Sequence, residues 1–402
     1  MACPLIAKAL LAVLAALLGS VQQPTPAPAP KAPEPVPPPI VVAGTRINFT
    51  RDNLTGRINV HFNGPLHPDH VALLKEQENL GTVFLSGGSP TVDNLKLLAD
   101  VPMTGLALMD AKVGAKVLEA LRGHRYLESI SLRLTRVSDA DLDALATIPK
   151  LAKIMIDYGD ITDAGVAKLA KLERLTSLDL FKCARVTDEG VIGLARLGSL
   201  RYLFLNNNER LTGRIVKSLA DLKNLERLEL DGVRLTANEV AELNRLPHLE
   251  VLALSQCGVD DEAATHLGRM KSLRSLGLNE ATITDAGVAQ MQRLTELRSL
   301  GLSKTAVTDR GVAELMGLVH LEILGLSSTK VTDAGVRMLS ALPELKMLGV
   351  DKTAVTVKSI PIFDGMKKLE VLNLEGTSIP IEEIERFCAD HPKLKVYRER
   401  KR

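Results

Sequence analysis

Tryptophan is missing from this 402-residue chain, and Phe and Tyr are so few that aromatics make only 3% of it. A cluster of rings on one surface could therefore not be put down to composition. Charge of one sign is lacking too: 50 Lys and Arg face 48 Asp and Glu, a formal net charge of +2. A nucleic-acid binder normally carries a basic patch or domain, so no nucleic-acid partner is expected. Catalytic signatures are absent as well. There is no GxxxxGK[ST] loop, and "SGGSP" from Ser86 has no following Lys. No Ser-His-Asp set or paired-carboxylate motif stands in supporting context. The expectation is a protein without enzymatic activity, cofactor or small-molecule substrate.

What is present begins with an apolar run, "ALLAVLAALLG" from Ala9 to Gly19, preceded by Lys8 and followed by Ser20. This is the layout of a secretory signal peptide, assigned to residues 1–21. The run is shorter than the ~20 residues that span a bilayer, so a membrane would be reached only through an uncleaved signal anchor. Residues 22–40 follow as a Pro-rich linker, "QPTPAPAPKAPEPVPPP", which favours an extended polyproline spacer of roughly 50 Å. An exported protein (periplasmic, cell-surface or extracellular) is expected. The sequons at Asn48 and Asn53 matter only if the source glycosylates secreted Asn. The basic residues Arg398 to Arg402 read as a solvated tail.

From there on the chain repeats itself. "LRSLGLSKTAVTDRGVAELMGLVH" from Leu297 is followed by "LEILGLSSTKVTDAGVRMLSALPE". The first Leu of "LxxLxL" recurs at Leu127, Leu151, Leu175, Leu200, Leu225, Leu249, Leu273, Leu297, Leu321, Leu345 and Leu369, every 24 or 25 residues. Weaker copies start near Met103, Leu80 and Arg57. Such a period marks a repeat architecture. Within a unit, "LRSLGL" alternates: Leu300 and Leu302 point one way, Ser299, Gly301 and Ser303 the other, as in a strand. "TDRGVAELMGL" then changes to helical spacing, with Val312, Leu315 and Leu318 on one side. Thr308 or Asp309 can accept the free amides of the first turn, so "VTD" is a helix start. One strand and one helix cannot bury their apolar sides alone. Stacked copies can, giving an α/β fold with a parallel sheet on one face and helices on the other.

The pattern LxxLxLxxTxVTDxGVxxLxxLxx resembles the leucine-rich repeat, in its cysteine-containing type seen in ribonuclease inhibitor-like and F-box-associated arrays. Long arrays of the Thr-for-Cys version resemble exported proteins of planctomycete-like bacteria. The resemblance implies a horseshoe solenoid, sheet concave and helices convex, that binds a macromolecule without naming it. Residues 41–102 are assigned to an N-terminal cap and degenerate repeats, 103–393 to repeats, and 394–402 to a C-terminal cap and basic tail. The unit from Leu200 resembles the plant-type repeat, with Val216 where Pro would stand, so its helix is expected shorter or tilted.

Of four cysteines, Cys3 lies in the signal segment. Cys183 and Cys257 occupy the ninth repeat position, where Thr305, Thr329, Thr353 and Thr377 stand elsewhere. Three repeats separate them, ~14 Å at strand spacing, too far for a disulfide. They read as small buried residues of the turn, and Cys388 as part of the C-terminal cap. His61, His67 and His70 with Asp69 are conceivable zinc ligands, but their spacing fits no compact site, and no metal is assigned. His248, His320 and His391 each precede a repeat's first Leu and are positional.

The outward columns, positions three, five, seven and eight, carry the candidate site. Between Leu151 and the repeat at Leu225 they hold Asp157, Tyr158, Asp179, Phe181, Lys182, Tyr202, Phe204, Asn206, Arg227, Glu229 and Asp231. Four aromatics flanked by carboxylates look like interface anchors, with Phe181, Tyr202 and Phe204 forming one apolar surface. Further on, position five becomes Gly277, Gly301, Gly325 and Gly349. That stripe either admits a partner's backbone or reflects a face with no room for side chains. The expected function is a monomeric protein-binding scaffold. The rivals are a structural envelope component and an adaptor for ubiquitin-type degradation; the signal peptide and the lack of a preceding F-box-like segment oppose the second.

Overall fold

The computed structural model describes residues 36–64, 66–86, 90–110 and 116–398. The expected signal segment, most of the Pro-rich linker and the end of the basic tail lie outside the described residues. Within them, seventeen strands form a single open sheet. Of the first three, Ile40–Val42, Thr45–Arg51 and Ile58–Asn63, each pairs antiparallel with the next. Every later strand pairs in parallel with the strand of the repeat before it, from Leu80–Ser86 to Lys395–Tyr397. The stretch assigned to the C-terminal cap thus adds one more strand.

The repeat from Leu297 shows why these residues fold this way. Its strand is only Ser299–Gly301, with Leu300 in register between Leu276 and Leu324. Leu297, Leu300, Leu302, Val307, Val312, Leu315 and Leu318 are all buried. At about 1.5–3 kcal/mol for each buried large aliphatic side chain, this column dominates the stability of the unit. The columns merge into one apolar core running from Ile47 to Phe387. Ser299 differs from expectation. It lies on the outer side of the sheet but is only 4% exposed.

After each strand the chain turns through one residue in the left-handed region. Tyr158, Lys182, Asn207, Gln256, Glu280, Lys304, Ser328 and Lys352 all have φ between 52° and 61°. That conformation costs a non-glycine residue about 1–2 kcal/mol. Each amide donates to a carbonyl one repeat on, for example Tyr158 N to Phe181 O at 2.9 Å and Lys304 N to Ser327 O at 2.7 Å. The inter-repeat bond offsets the strain and fixes the eighth side chain at the lip of the sheet.

Position nine closes the turn from inside. The hydroxyls of Thr305 and Thr329 donate to Leu302 O and Leu326 O at 2.6 Å. Cys183 and Cys257 fill the same column, their thiols donating to Ile156 O and Leu230 O at 3.3 and 3.2 Å. Both are free and buried.

The helices carry a device the expected capping role does not cover. Thr308 Oγ1 does accept from Arg310 N at 3.2 Å, but Asp309 turns to the next repeat. Its carboxylate accepts Thr332 N at 2.8 Å, Thr332 Oγ1 at 2.6 Å and Gly335 N at 3.0 Å. The same stitch joins Asp139 to Thr162, Asp163 to Thr187, Asp188 to Thr212, Asp261 to Thr284, Asp285 to Thr308 and Asp333 to Thr356. The glycine of "TDxG" follows from it, since a Cβ on Gly311 or Gly335 would collide with the preceding repeat's Asp oxygen. The helix of the unusual Leu200 unit, Ile215–Leu219, is five residues long and has no side-chain cap.

Candidate functional site

The register brings all eleven sequence-selected residues onto one continuous stretch of sheet face. Row three aligns Lys153, Ser177, Tyr202 and Arg227; row five aligns Met155, Asp179, Phe204 and Glu229. Asp157, Phe181, Asn206 and Asp231 follow as row seven. Tyr158 and Lys182 stand in the left-handed positions beside them.

The aromatics do not form the single surface expected. Among the described residues, Phe181, Tyr202 and Phe204 make no ring contact with one another. Instead Tyr158 meets Phe181 edge-on at 5.6 Å, and the Lys182 amine lies 5.3 and 5.6 Å from the two ring centres. Phe204 sits beneath the Arg227 guanidinium at 5.2 Å, and Tyr202 beneath that of Arg201 at 5.7 Å. Tyr202 also donates its hydroxyl to Glu226 at 3.1 Å. Cations cover the ring faces that were expected to join, because a guanidinium is drawn to a ring's negative face and screens it from its neighbours.

The carboxylates depart from expectation too. Asp157 and Glu229 lie in the outward columns flanking the aromatics, as expected, yet they are only 8% and 5% exposed. Asp157 pairs with Arg133 Nε at 3.3 Å. Glu229 accepts from Arg227 Nε at 2.7 Å and from Asn206 Nδ2 at 2.6 Å. A buried charge is costly unless it is paired and hydrogen-bonded, and both of these carboxylates have an arginine partner. Asp231 accepts from Ser255 N at 2.7 Å and donates its own amide to Asn206 Oδ1 at 2.8 Å. Burial pushes its carboxyl up to about 6, against that hydrogen bond.

Asp179 has no ion pair among the described residues. Its Oδ1 is buried without a hydrogen-bond partner. Burial first, then the negative charges of Asp157 and Glu229, push its carboxyl up to about 7, against a hydrogen bond from the Phe181 backbone and the charge of Arg133. Residues the sequence reading did not select complete the face. Met155 is 40% exposed beside Asp179, Leu134 is 42% exposed beside Tyr158's position, and Tyr158 itself is 41% exposed. The signal for Met155 was its place in row five, and for Leu134 its place in the left-handed column.

Beyond this patch the other candidates have local roles. His61 stacks on Phe84 at 4.3 Å, His67 accepts from Asp69 N, and buried His70 bonds Val42 O and His67 N. Among the described residues no group of three His, Cys, Asp or Glu is placed to hold a metal ion. Burial pushes the Cys183 and Cys257 thiols up to about 12, far from a reactive thiolate. At the glycine stripe, a Cβ on Gly301, Gly325 or Gly349 would meet the side chains of Asn279, Ser303 or Ser327 at 3.0 to 3.2 Å, whereas at Gly277 it would meet nothing nearer than 3.6 Å. Row-seven side chains of the repeat before use that room.

A family profile described as Leucine Rich repeat matches residues 174–195, 245–268 and 317–340. An internalin from Listeria monocytogenes shares the fold at a TM-score of 0.56 and 18% identity, covering 83% of this chain and 94% of the internalin. The chain has the leucine-rich-repeat solenoid fold, and three of its repeats match that family's profile. A leucine-rich-repeat protein of Leptospira interrogans aligns at a TM-score of 0.49 and 22% identity, over 83% of this chain and 93% of that one. No curated protein matches.

Proposed function

We propose that this leucine-rich-repeat protein is a non-enzymatic, exported scaffold that binds another protein through the sheet face between Leu134 and Asp231. The carrying observation is the concentration of half-exposed Tyr158, Phe181, Tyr202 and Phe204 there, in a sheet whose later rows present Gly and Ser. Aromatics in a polar, arginine-rich frame have the composition of an interface centre. The cysteine-containing repeat type, as in ribonuclease inhibitor-like arrays, fits the same reading.

Affinity capture from the source organism's envelope tests it, with two baits in parallel: the native protein and a Phe181→Ala/Tyr202→Ala/Phe204→Ala variant. A protein held by the first and lost from the second supports the proposal. A partner held equally by both moves the contact to the glycine rows or the helices.

A further inference from the structure

We infer that this face docks a protein partner presenting a Lys or Arg beside an apolar residue, the cationic head lying against the Asp179 carboxylate. The inference rests on the protein-binding reading and specifies its chemistry. Charge complementarity carries it. Four carboxylates, Asp157, Asp179, Glu229 and Asp231, lie on adjoining rows. Arg133, two strands before Asp179, is committed to Asp157 and reaches Asp179 only through its field, and Arg227 is committed to Glu229 on its own strand. Lys182 lies over the Tyr158 and Phe181 rings instead of reaching a carboxylate. Asp179 is left at the centre, part-exposed and without an ion pair among the described residues, one of its oxygens buried with no hydrogen bond and the rest of the carboxylate on the face.

The surroundings say what accompanies the cation. Asp179 stands in register between Met155 and Phe204. The methylenes of a Lys or Arg would run between the thioether and the ring, and long cationic side chains bury their stems in this manner. Exposed Leu134 and Tyr158 extend the apolar surface at the lip, where a neighbouring apolar side chain would rest. A small hydrated cation would leave all of these uncovered. The elevation of the Asp179 carboxyl to about 7 is consistent with uncompensated negative charge, which a docked cation would relieve. Binding should therefore weaken as pH falls below that value.

The test is selection of random peptides displayed on phage, run at about pH 8 against the native chain, Asp179→Asn and the aromatic triple variant. Asp179→Asn is nearly isosteric and removes a buried charge; its melting temperature verifies folding. Expected from the native chain are peptides with Lys or Arg next to Leu, Met or an aromatic residue. A recovered peptide should bind Asp179→Asn about ten-fold more weakly or worse. It should also lose affinity for the native chain near pH 5.5, with no such loss on Asp179→Asn. Peptides without a basic consensus, no enrichment at all, or equal affinity for native and Asp179→Asn overturn the inference. Peptides that need the three aromatics yet ignore Asp179→Asn overturn it while leaving the protein-binding reading standing. Indifference to the aromatics and to Asp179 together overturns both.

Discussion

Glu239 fills the space that Gly213 of the preceding repeat leaves open: a Cβ on Gly213 would collide with its carboxylate. Elsewhere the two roles are exchanged, an Asp such as Asp309 reaching forward to a Thr while a Gly such as Gly335 makes room. Here Glu239 instead caps its own helix, accepting Thr236 N at 2.8 Å and Thr236 Oγ1 at 3.0 Å. Gly213→Asp and Glu239→Gly should each destabilise by about 1 kcal/mol, the first by collision and the second by losing the capping box. Together they rebuild the usual stitch, so the double variant should recover about 1 kcal/mol over the sum. Strict additivity in denaturant melts would refute the exchange.

Leu300 and Ser303 test the register of the sheet. Leu300 is 1% exposed, with Leu276 and Leu324 stacked on either side. Leu300→Ala should cost about 2–5 kcal/mol. Ser303, half-buried on the other face, should tolerate Ala at under roughly 0.5 kcal/mol. Equal losses would place both residues on the same side.

The glycine rows make a graded prediction. Nothing crowds a Cβ at Gly277, and glycine is a poor strand residue, so Gly277→Ala should stabilise by about 0.5–1 kcal/mol. Gly301→Ala meets the Asn279 amide at 3.0 Å and should gain less or lose. Thermal melts of the two variants would expose any reversal of that order.

The sequence made the solenoid legible because stacking puts equivalent residues into the same column, and a column of Leu or Thr survives as a period in the text. Position nine and the helix start were readable for the same reason, whereas position eight, left-handed in every one of Tyr158, Lys182, Gln256 and Lys304, varies in residue type and leaves no period. The Asp309–Thr332 bond was not, since a reading confined to one repeat gives Asp309 to its own helix. Nor was the burial of Asp157 and Glu229. Arg133 reaches Asp157 from the neighbouring strand and Arg227 reaches Glu229 two residues along its own, and neither choice of partner over solvent is written in the repeat. The rings of Phe181 and Phe204 were placed on the correct face but joined wrongly, because strand spacing sets how near two rings could come and the cations between them decide whether they meet.

Asp179 gives a pH dependence whose sign is fixed by its raised carboxyl. The unfolded group ionises near its ordinary 3.8, the folded one at about 7. Below pH 3.8 both states hold the proton and the group contributes no penalty. Between those values the folded state keeps a proton that the unfolded state has lost, so its contribution falls as pH rises, and above 7 the penalty is constant. Asp179→Asn should therefore melt higher than the native protein at pH 8, by on the order of 2–4 kcal/mol, and the gap should close toward pH 4. Paired melts across that range measure it; a gap that is flat or widens toward acid would show the carboxyl is not raised.

Phe204 gives the sharpest distinction between folding and binding. Its ring lies on the sheet face under Arg227 and outside the leucine columns, so Phe204→Ala should cost the fold only about 1 kcal/mol, the worth of the cation–π contact and its partial burial. A captured partner should lose at least ~2 kcal/mol, as at the centre of an interface. Phe181→Ala should lose a comparable amount, since it also releases Tyr158 and Lys182 from their shared contact. Gly325→Ala lies several repeats away and places its methyl 3.2 Å from Ser303 Oγ, so it should leave affinity unchanged to within about 0.5 kcal/mol. Calorimetric titration of the three variants ranks them. A partner that feels Gly325→Ala more than Phe204→Ala would be wrapped on the glycine rows, and the aromatic face would then be no more than cover for the sheet beneath it.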